Sequence, residues 1–395
     1  MTNFFRKVLK NNVTVLFEER ELPSVSISLA VNSGGGFENE QEKGITHLIE
    51  HLVFKGTASR SHEEIAKEIE KKGGILNGFT SEELVCFWAK LPARHFETGF
   101  NILSDVLLNP SFPEQEFEKE KGVICEEIKM YNDNPILYVE HKIKELLYKK
   151  PFGLSIAGTT ESLKPITKEK VLETYRKILR NRIIVSVVGK CDFHRLCSLS
   201  ENLPTCSKVS KKESFAKINS ELSEKRKNID QAHFIFGYHC PPIPDKKRYL
   251  NDLVLTYLAG GMSSVLNNEI REKRGLAYAI KPNIDREKNF GHSTIYVGTD
   301  KQNVKIVRGI ILKEFRKIKS ISQRDLEQTK EQLIGLREVL EEDSTNAMNN
   351  LLFEEIGKEA EEYYKFNERI HSIKLSDVRS FKIKNFSSFS LMPAD

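Results

Sequence analysis

The sequence predicts an α+β protein of two related domains, each an antiparallel-rich mixed sheet with helices packed on one face. The first observation is the order of elements, since both halves of the 395 residues predict a strand, two helices, two strands and a long helix. The second is a Lys-, Ser- and Glu-rich stretch between the halves. We therefore predict a first domain over 1–210, a linker over 211–228 and a second domain over 229–395, although residue similarity between the halves is weak.

The elements of the first half follow from hydrophobic periodicity and from the residues that interrupt it. Strands are predicted where apolar residues alternate with polar ones or run between turn residues, and helices where apolar residues recur every three or four positions. Gly73 and Gly74 end the second helix, as glycine commonly does. The predicted strands are 13–19, 24–32, 75–81, 83–91 and 182–190, and the predicted helices are 44–55, 62–72, 96–108, 114–131, 137–148 and 168–178.

The second half repeats this order with different side chains. A strand is predicted first, two helices follow around the pair Gly260-Gly261, and two strands precede a long helix. The predicted strands are 232–239, 276–283 and 291–299, and the predicted helices are 247–259, 263–273 and 303–318.

Composition narrows the possible classes of function. The net charge of +5 is spread along a chain with 30% charged residues, without the dense basic face typical of nucleic-acid binding. No apolar run approaches the roughly 18 residues of a membrane span, and the first residues lack the apolar core of a signal peptide. The six cysteines contain no CxxC pair and suit reduced thiols. We expect a cytoplasmic protein without nucleic-acid or membrane partners.

The strongest chemical signal is the segment His47-Leu48-Ile49-Glu50-His51, which falls on a predicted helix. Positions i and i+4 share one helix face, so His47 and His51 could bind one zinc ion. Glu50 lies on the same side and could take a proton from a zinc-activated water. This HxxEH spacing is the reverse of the metalloprotease HExxH pattern. The alternative interpretation is a surface cluster of two histidines and a glutamate.

A third ligand is predicted on the helix that contains Glu118–Ile128. Glu120 and Glu127 are seven residues apart and share a helix face, whereas Glu126 points about 100° away. Glu127 therefore suits a metal ligand, and Glu120 suits a partner that orients a histidine. A solvated acidic helix is the commoner outcome for such a segment, and periodicity alone leaves both interpretations open.

These segments resemble the pitrilysin family of zinc peptidases, whose members carry the inverted motif. GITHLIEHLVFKGT (44–57) resembles the family's metal helix, and EKEKGVICEEIKMYNDNP (118–135) resembles its downstream helix. The resemblance covers nearly the whole chain and is closest to the short two-domain subunits of processing peptidases. It implies Zn²⁺ on the two histidines and Glu127, Glu50 as the base, and Glu120 in support of the site.

Two further segments add site residues through the same resemblance. GGILNGFTSEE (73–83) is similar to a strand beside the metal that pairs with substrate, which implies substrate binding at Asn77 and Gly78. The family usually has alanine where Gly78 stands, and an Asn-Gly pair is also a hairpin signal. The segment 260–280 is similar to one whose Arg and Tyr stabilise the oxyanion, which implies that role for Arg271 and Tyr278.

The resemblance implies a zinc metalloendopeptidase that cuts short or unstructured peptides, or presequences, inside a clamshell chamber. Short family members pair, so a homodimer or a heterodimer with a related subunit is expected, with Arg271 and Tyr278 acting within one chain or on the partner's site. The second half has no histidine in 250–261, so one metal site per chain is expected. A non-catalytic subunit that binds peptide in a heterodimer is the alternative, and a structural subunit of a larger complex is a third possibility.

Overall fold

The computed structural model describes residues 3–207, 209 and 212–394, which form two compact units. The first unit contains Met1–Lys129, Ser155–Lys212 and Leu340–Tyr363, and the second contains Met130–Leu154, Glu213–Val339 and Tyr364–Asp395. The units therefore differ from the predicted ranges 1–210 and 229–395, because a helical segment from each half of the sequence belongs to the other half's unit.

The regular elements are numbered along the chain. The strands are β1 Asn3–Val8, β2 Thr14–Glu19, β3 Ser24–Val31, β4 Ile75–Thr80, β5 Val85–Pro92, β6 Ile183–Gly189, β7 Glu221–Arg226, β8 Ala232–His239, β9 Ala277–Arg286, β10 Gly291–Thr299 and β11 Ser387–Pro393. The helices are α1 Ile45–Val53, α2 His62–Glu70, α3 Phe96–Leu108, α4 Glu114–Asp133, α5 Pro135–Leu147, α6 Thr160–Leu163, α7 Lys168–Ile178, α8 Phe193–Ser200, α9 Arg248–Ala259, α10 Val304–Lys317, α11 Gln323–Glu341, α12 Ser344–Gly357, α13 Phe366–His371 and α14 Leu375–Ser380.

The first unit is built on a six-stranded sheet with the order β1-β2-β6-β3-β5-β4. The pair β2–β6 is parallel, and the other pairs of this sheet are antiparallel. Side chains alternate between two faces. Along β2, Val15 and Phe17 join the core formed with α1, α3 and α7, whereas Leu16 packs with Met348 and Leu351 of α12. Most helices thus cover one face, and α12 covers the other.

The second unit repeats this plan with a five-stranded sheet of order β7-β11-β8-β10-β9. Here β7–β11 is the parallel pair. On β8, Phe234 and Phe236 belong to the core shared with α9 and α10, while Ile235 packs with Ile143 of α5 on the opposite face. The predicted α+β class with two antiparallel-rich mixed sheets is confirmed, and each sheet carries one additional helix on its second face.

The predicted linker 211–228 differs from the structure because it contains β7. This edge strand is mostly exposed and its sequence, ELSEKR, is highly charged. Charged residues are common on edge strands because they discourage pairing with other chains, and they remove the apolar signal that would predict a strand. Residues 210 and 211, where the predicted first domain meets the linker, lie outside the described residues.

Several boundaries also shift. The predicted helix 263–273 contains a short π-helical segment, Asn267–Glu272. Strand β1 and all elements after residue 318 were not assigned by the sequence patterns. In the ranges described above, no helix combines the length and apolar character needed to cross a bilayer.

Candidate metal centre and active site

Helix α1 is fixed at its first turn by a buried carboxylate. Gly44 precedes the helix with φ of 100°, a left-handed conformation that favours glycine. The Glu38 carboxylate accepts hydrogen bonds from the backbone N–H groups of Gly44 and Thr46, at 2.9 and 2.7 Å. Burial raises the pKa of Glu38 to about 7, and nearby Lys43 opposes that rise. An acceptor at a helix N-terminus satisfies otherwise unpaired donors, so these contacts set the position of α1.

Two histidines of α1 and one glutamate of α4 converge. Ligand-type atoms of His47, His51 and Glu127 all lie within 4.8 Å of one another. His47 Nε2 is 3.8 Å from Glu127 Oε2, and His51 Nε2 is 3.7 Å from Glu127 Oε1. These separations slightly exceed the about 3.4 Å expected between ligands of one tetrahedral zinc. Among the described residues, this is the one group of three His, Cys, Asp or Glu side chains with such spacing.

The electrostatics of this group suit a cation. Burial, followed by the nearby His51, lowers the pKa of His47 to about 4, so its imidazole is neutral at pH 7. In the described part of the chain, the buried Glu127 Oε2 has no hydrogen-bond partner. Buried polar atoms are seldom left without partners. Two histidines with a glutamate carboxylate are a common zinc ligand set, so the residues present fit the ion that the sequence predicts.

Glu120 lies behind His51, on the same face of α4 as Glu127. Its carboxylate is buried, 3.1 Å from His51 Nδ1, and its other oxygen is 2.8 Å from Lys55 Nζ. A carboxylate hydrogen-bonded to one ring nitrogen fixes the tautomer of the imidazole and leaves the other nitrogen to a metal. Glu120 therefore directs His51 Nε2 towards Glu127.

Glu50 lies beside the same group. Its Oε2 is 3.9 Å from His47 Nε2 and accepts a hydrogen bond of 3.2 Å from the Thr80 hydroxyl of β4. Burial is the main cause of the raised pKa of the Glu50 carboxyl. Gly78 borders this carboxylate closely, because a Cβ at position 78 would lie 2.9 Å from Glu50 Oε1. Strand β4 thus supplies a hydrogen-bond donor and a space without a side chain.

A cavity of about 450 Å³ opens next to Glu50 and His51. More of its wall is apolar than polar, and Glu50, His51 and Glu120 are among its polar groups. The cavity is lined by Glu50, His51, Phe54, Lys55, His62, Ile65, Ala66, Glu70, Gly74, Ile75, Leu76, Asn77 and Glu120. Asn77 is exposed on β4, which is an edge strand of the sheet. An edge strand beside a cavity is a surface on which an extended peptide can pair.

Arg271 and Tyr278 belong to the second unit. Arg271 lies on the π-helical segment with a half-exposed side chain, 3.6 Å from Glu272. Tyr278 lies near the start of β9, is 49% exposed, and its hydroxyl is 3.3 Å from that of Tyr296. The predicted site residues therefore fall into a group on α1, α4 and β4 and a pair in the second unit.

Comparison with known proteins places this geometry in a family. Residues 14–160 match the profile "Insulinase (Peptidase family M16)", and residues 165–333 match "Peptidase M16 inactive domain". An "Uncharacterized zinc protease" of Rickettsia felis is 32% identical over 98% of this chain and 96% of its own length. The chain belongs to the M16, or pitrilysin, family. Another family member, the "Uncharacterized zinc protease YmxG" of Bacillus subtilis, is 30% identical over 87% of this chain and 84% of its own length.

Solved structures of M16 proteins share the fold. A protease from Helicobacter pylori superposes with a TM-score of 0.91 at 19% identity, covering 99% of this chain and all of the other. A peptidase M16 inactive domain from Pseudomonas fluorescens gives 0.88 at 18% identity, covering all of this chain and 99% of the other. At such low identity these similarities concern the fold alone.

Sequence patterns did not identify every residue at the M16 site. Lys55 is four residues after His51, so helical spacing could have placed it on the same face. Thr80 had no such signal, because its contact with Glu50 depends on how β4 packs against α1. The close approach of Gly78 to Glu50 is likewise a property of the folded chain.

Proposed function

We propose that this chain is a zinc-dependent endopeptidase that cleaves short or unstructured peptides. The observation that carries the proposal is the convergence of His47, His51 and Glu127 with the carboxylate of Glu50 beside them. The names of the M16 relatives, which are described as zinc proteases, agree with it. Zinc would be held by the two histidines and Glu127, where it would polarise a peptide carbonyl and acidify water.

The proposed base is Glu50. As a water oxygen adds to the peptide carbonyl carbon, the Glu50 carboxylate accepts the water's proton. It then delivers that proton to the amide nitrogen as the C–N bond breaks. Burial raises the pKa of this carboxyl, which strengthens it as a base near neutral pH. The hydrogen bond from Thr80 holds one carboxylate oxygen in place.

The proposed substrate surface lies along β4. A peptide in extended form would pair with the exposed edge at Asn77 and Gly78, which favours unfolded over folded substrates. The cavity beside Glu50 would accept an apolar side chain next to the scissile bond, because Phe54, Ile65 and Leu76 line it. A cut-site profile enriched in apolar residues at one position would support this assignment.

In this proposal Arg271 and Tyr278 stabilise the oxyanion. A guanidinium and a phenol hydroxyl are both donors suited to the charge that develops on a carbonyl oxygen. Their side chains are half-exposed, so they can meet a substrate. We also propose that the chain acts as a homodimer or with a related subunit, inside a reducing compartment that suits its six free cysteines.

The test is cleavage of a quenched-fluorescent peptide library by the purified chain, before and after chelation and with zinc restored. Glu50→Gln should lower kcat by about 10²–10⁴-fold, because it removes a general base. Glu126→Gln is the matched control, since Glu126 is an exposed neighbour of Glu127 paired with Lys129. It should keep full activity.

Three results would contradict parts of the proposal. Activity that survives chelation and Glu50→Gln would exclude the zinc mechanism. A chain that binds zinc but cleaves nothing, alone or with a related subunit, would favour a peptide-binding role. A chain without zinc affinity would exclude the metal centre itself.

A further inference from the structure

We propose that Tyr296 and His233 are positioning residues that hold the Tyr278 hydroxyl as a hydrogen-bond donor towards the substrate. The inference rests on the proposed function, because it assumes that Tyr278 contacts the oxyanion. It adds two residues of the second unit to the machinery, neither of which reaches the substrate itself. Three features of the β9–β10 pair carry the argument.

The first feature is a β-bulge at Tyr278. In the β9–β10 register, Thr299 pairs with Ala277 and Gly298 pairs with Ala279, so Tyr278 has no residue opposite it. A bulge leaves the extra residue outside the regular alternation and changes the direction of its side chain. Tyr278 is 49% exposed. The bulge therefore presents this phenol to solvent from an otherwise regular strand pair.

The second feature is a space for the phenol ring. Gly298 lies under Tyr278, and a Cβ at position 298 would stand 2.6 Å from the Tyr278 hydroxyl oxygen. That distance is shorter than real contacts allow, so a side chain at position 298 would force the Tyr278 ring to move. The absence of a side chain at Gly298 thereby leaves room for the ring on one side, and Tyr278 as a residue stays half-exposed.

The third feature is a chain of hydrogen bonds that starts in the interior. The Tyr278 and Tyr296 hydroxyl oxygens are 3.3 Å apart, and the Tyr296 hydroxyl is 2.8 Å from His233 Nδ1. Tyr296 and His233 are buried. If the Tyr278 hydroxyl donates its hydrogen bond to an oxyanion, the Tyr278 oxygen must accept a hydrogen bond from the Tyr296 hydroxyl. The Tyr296 oxygen then accepts from His233 Nδ1–H, so all three bonds run in one direction.

The surroundings favour the neutral forms of His233 and Tyr296. Burial, with a smaller effect of Arg226, lowers the pKa of His233, so the imidazole carries a single N–H at neutral pH. Burial also raises the pKa of Tyr296, which keeps its proton on the oxygen. Hydrogen bonds that run in one direction polarise one another and strengthen the terminal donor. The terminal donor here is Tyr278.

The kinetic test compares Tyr278→Phe, Tyr296→Phe and the double variant. Tyr278→Phe should lower kcat by about 10²-fold, as removal of an oxyanion donor does. Tyr296→Phe should lower kcat by about tenfold, with KM nearly unchanged, because it removes only the positioning of that donor. The double variant should match Tyr278→Phe, since Tyr296 acts through Tyr278. Tyr175→Phe is the control, since its buried hydroxyl donates a hydrogen bond to the Leu107 carbonyl in the first unit.

Additive losses in the double variant, or an unchanged kcat in Tyr296→Phe, would overturn the inference. A second measurement does not need activity. In the chain labelled with ¹⁵N-histidine, NMR should show His233 protonated on Nδ1, with its signal identified by loss in His233→Asn. Protonation on Nε2 alone would reverse the hydrogen-bond direction and overturn the inference even if the peptidase proposal holds. An inactive wild type with the Nδ1–H tautomer would instead count against the proposed function.

Discussion

Helices α1 and α9 occupy equivalent positions in the order of elements of the two units, but they carry different charged side chains. In α1, His47 and Glu50 lie beside Glu127, whose Oε2 has no hydrogen-bond partner in the described part of the chain. In α9, the acidic residue Asp252 forms a two-pronged ion pair with Arg286 of β9, one arm of which measures 3.1 Å. In the second unit, the carboxylate of Asp252 is thus paired with a cation of the protein, Arg286. In the first unit, the group that contains Glu127 is able to bind a metal cation instead.

The comparison predicts its largest effect for zinc binding. Glu127→Gln removes one of three ligands and should weaken zinc affinity by about three orders of magnitude or more. Asp252→Asn should leave zinc affinity unchanged but destabilise the second unit by up to about 3 kcal/mol, because Arg286 loses its partner. Calorimetric zinc titration and denaturant unfolding measure the two effects. An equal loss of zinc affinity in both variants would mean that the carboxylates of Glu127 and Asp252 are not functionally distinct.

The second prediction concerns pH and the metal-free chain. The pKa of His47 falls to about 4 on folding, chiefly through burial. Between about pH 6.5 and pH 4 the unfolded chain therefore binds a proton that the folded chain excludes, and stability falls as the pH falls. The loss should reach about 3 kcal/mol near pH 4. Denaturant unfolding of the chelated chain at several pH values measures it, and His47→Gln should remove that part of the slope.

The second unit offers a control for this experiment. Burial also lowers the pKa of His239 to about 4. His239→Gln should therefore flatten the pH dependence to a similar degree, yet leave the stabilisation by added zinc intact. His47→Gln should weaken both the pH dependence of stability and the stabilisation by added zinc. If zinc stabilised the His47→Gln variant as much as the wild type, His47 would not be a ligand.

The sequence predicted what depends on local periodicity. Helical spacing put His47, Glu50 and His51 on one face, and a seven-residue interval did the same for Glu120 and Glu127, as the structure has them. It did not predict which sheet a helix covers. The amphipathic pattern of α5 indicates an apolar face, but the partner of that face is set by tertiary packing, and α12 is not predicted by the sequence patterns. Strand β7 was missed because an exposed edge strand carries charges instead of alternating apolar residues.

The smallest predicted effects are those of adding a methyl group at Gly78 of β4 or at Gly237 of β8. A Cβ at Gly78 would press on Glu50 Oε1 at 2.9 Å and on Phe54 at 3.0 Å, whereas a Cβ at Gly237 would press on Ile143 at 2.7 Å. The Glu50 carboxylate ends a flexible side chain and can move, so Gly78→Ala should change stability by less than about 1 kcal/mol. Because the displaced group is the proposed base, kcat should fall about tenfold.

Gly237→Ala should show the opposite result. Ile143 is buried in the second unit's core, so overpacking should cost about 1–3 kcal/mol of unfolding free energy and leave kcat unchanged. Kinetics and denaturant unfolding of both variants measure the contrast. If Gly78→Ala retained full kcat, the space beside Glu50 would be a packing feature of β4, and the placement of the base would depend on Thr80 alone.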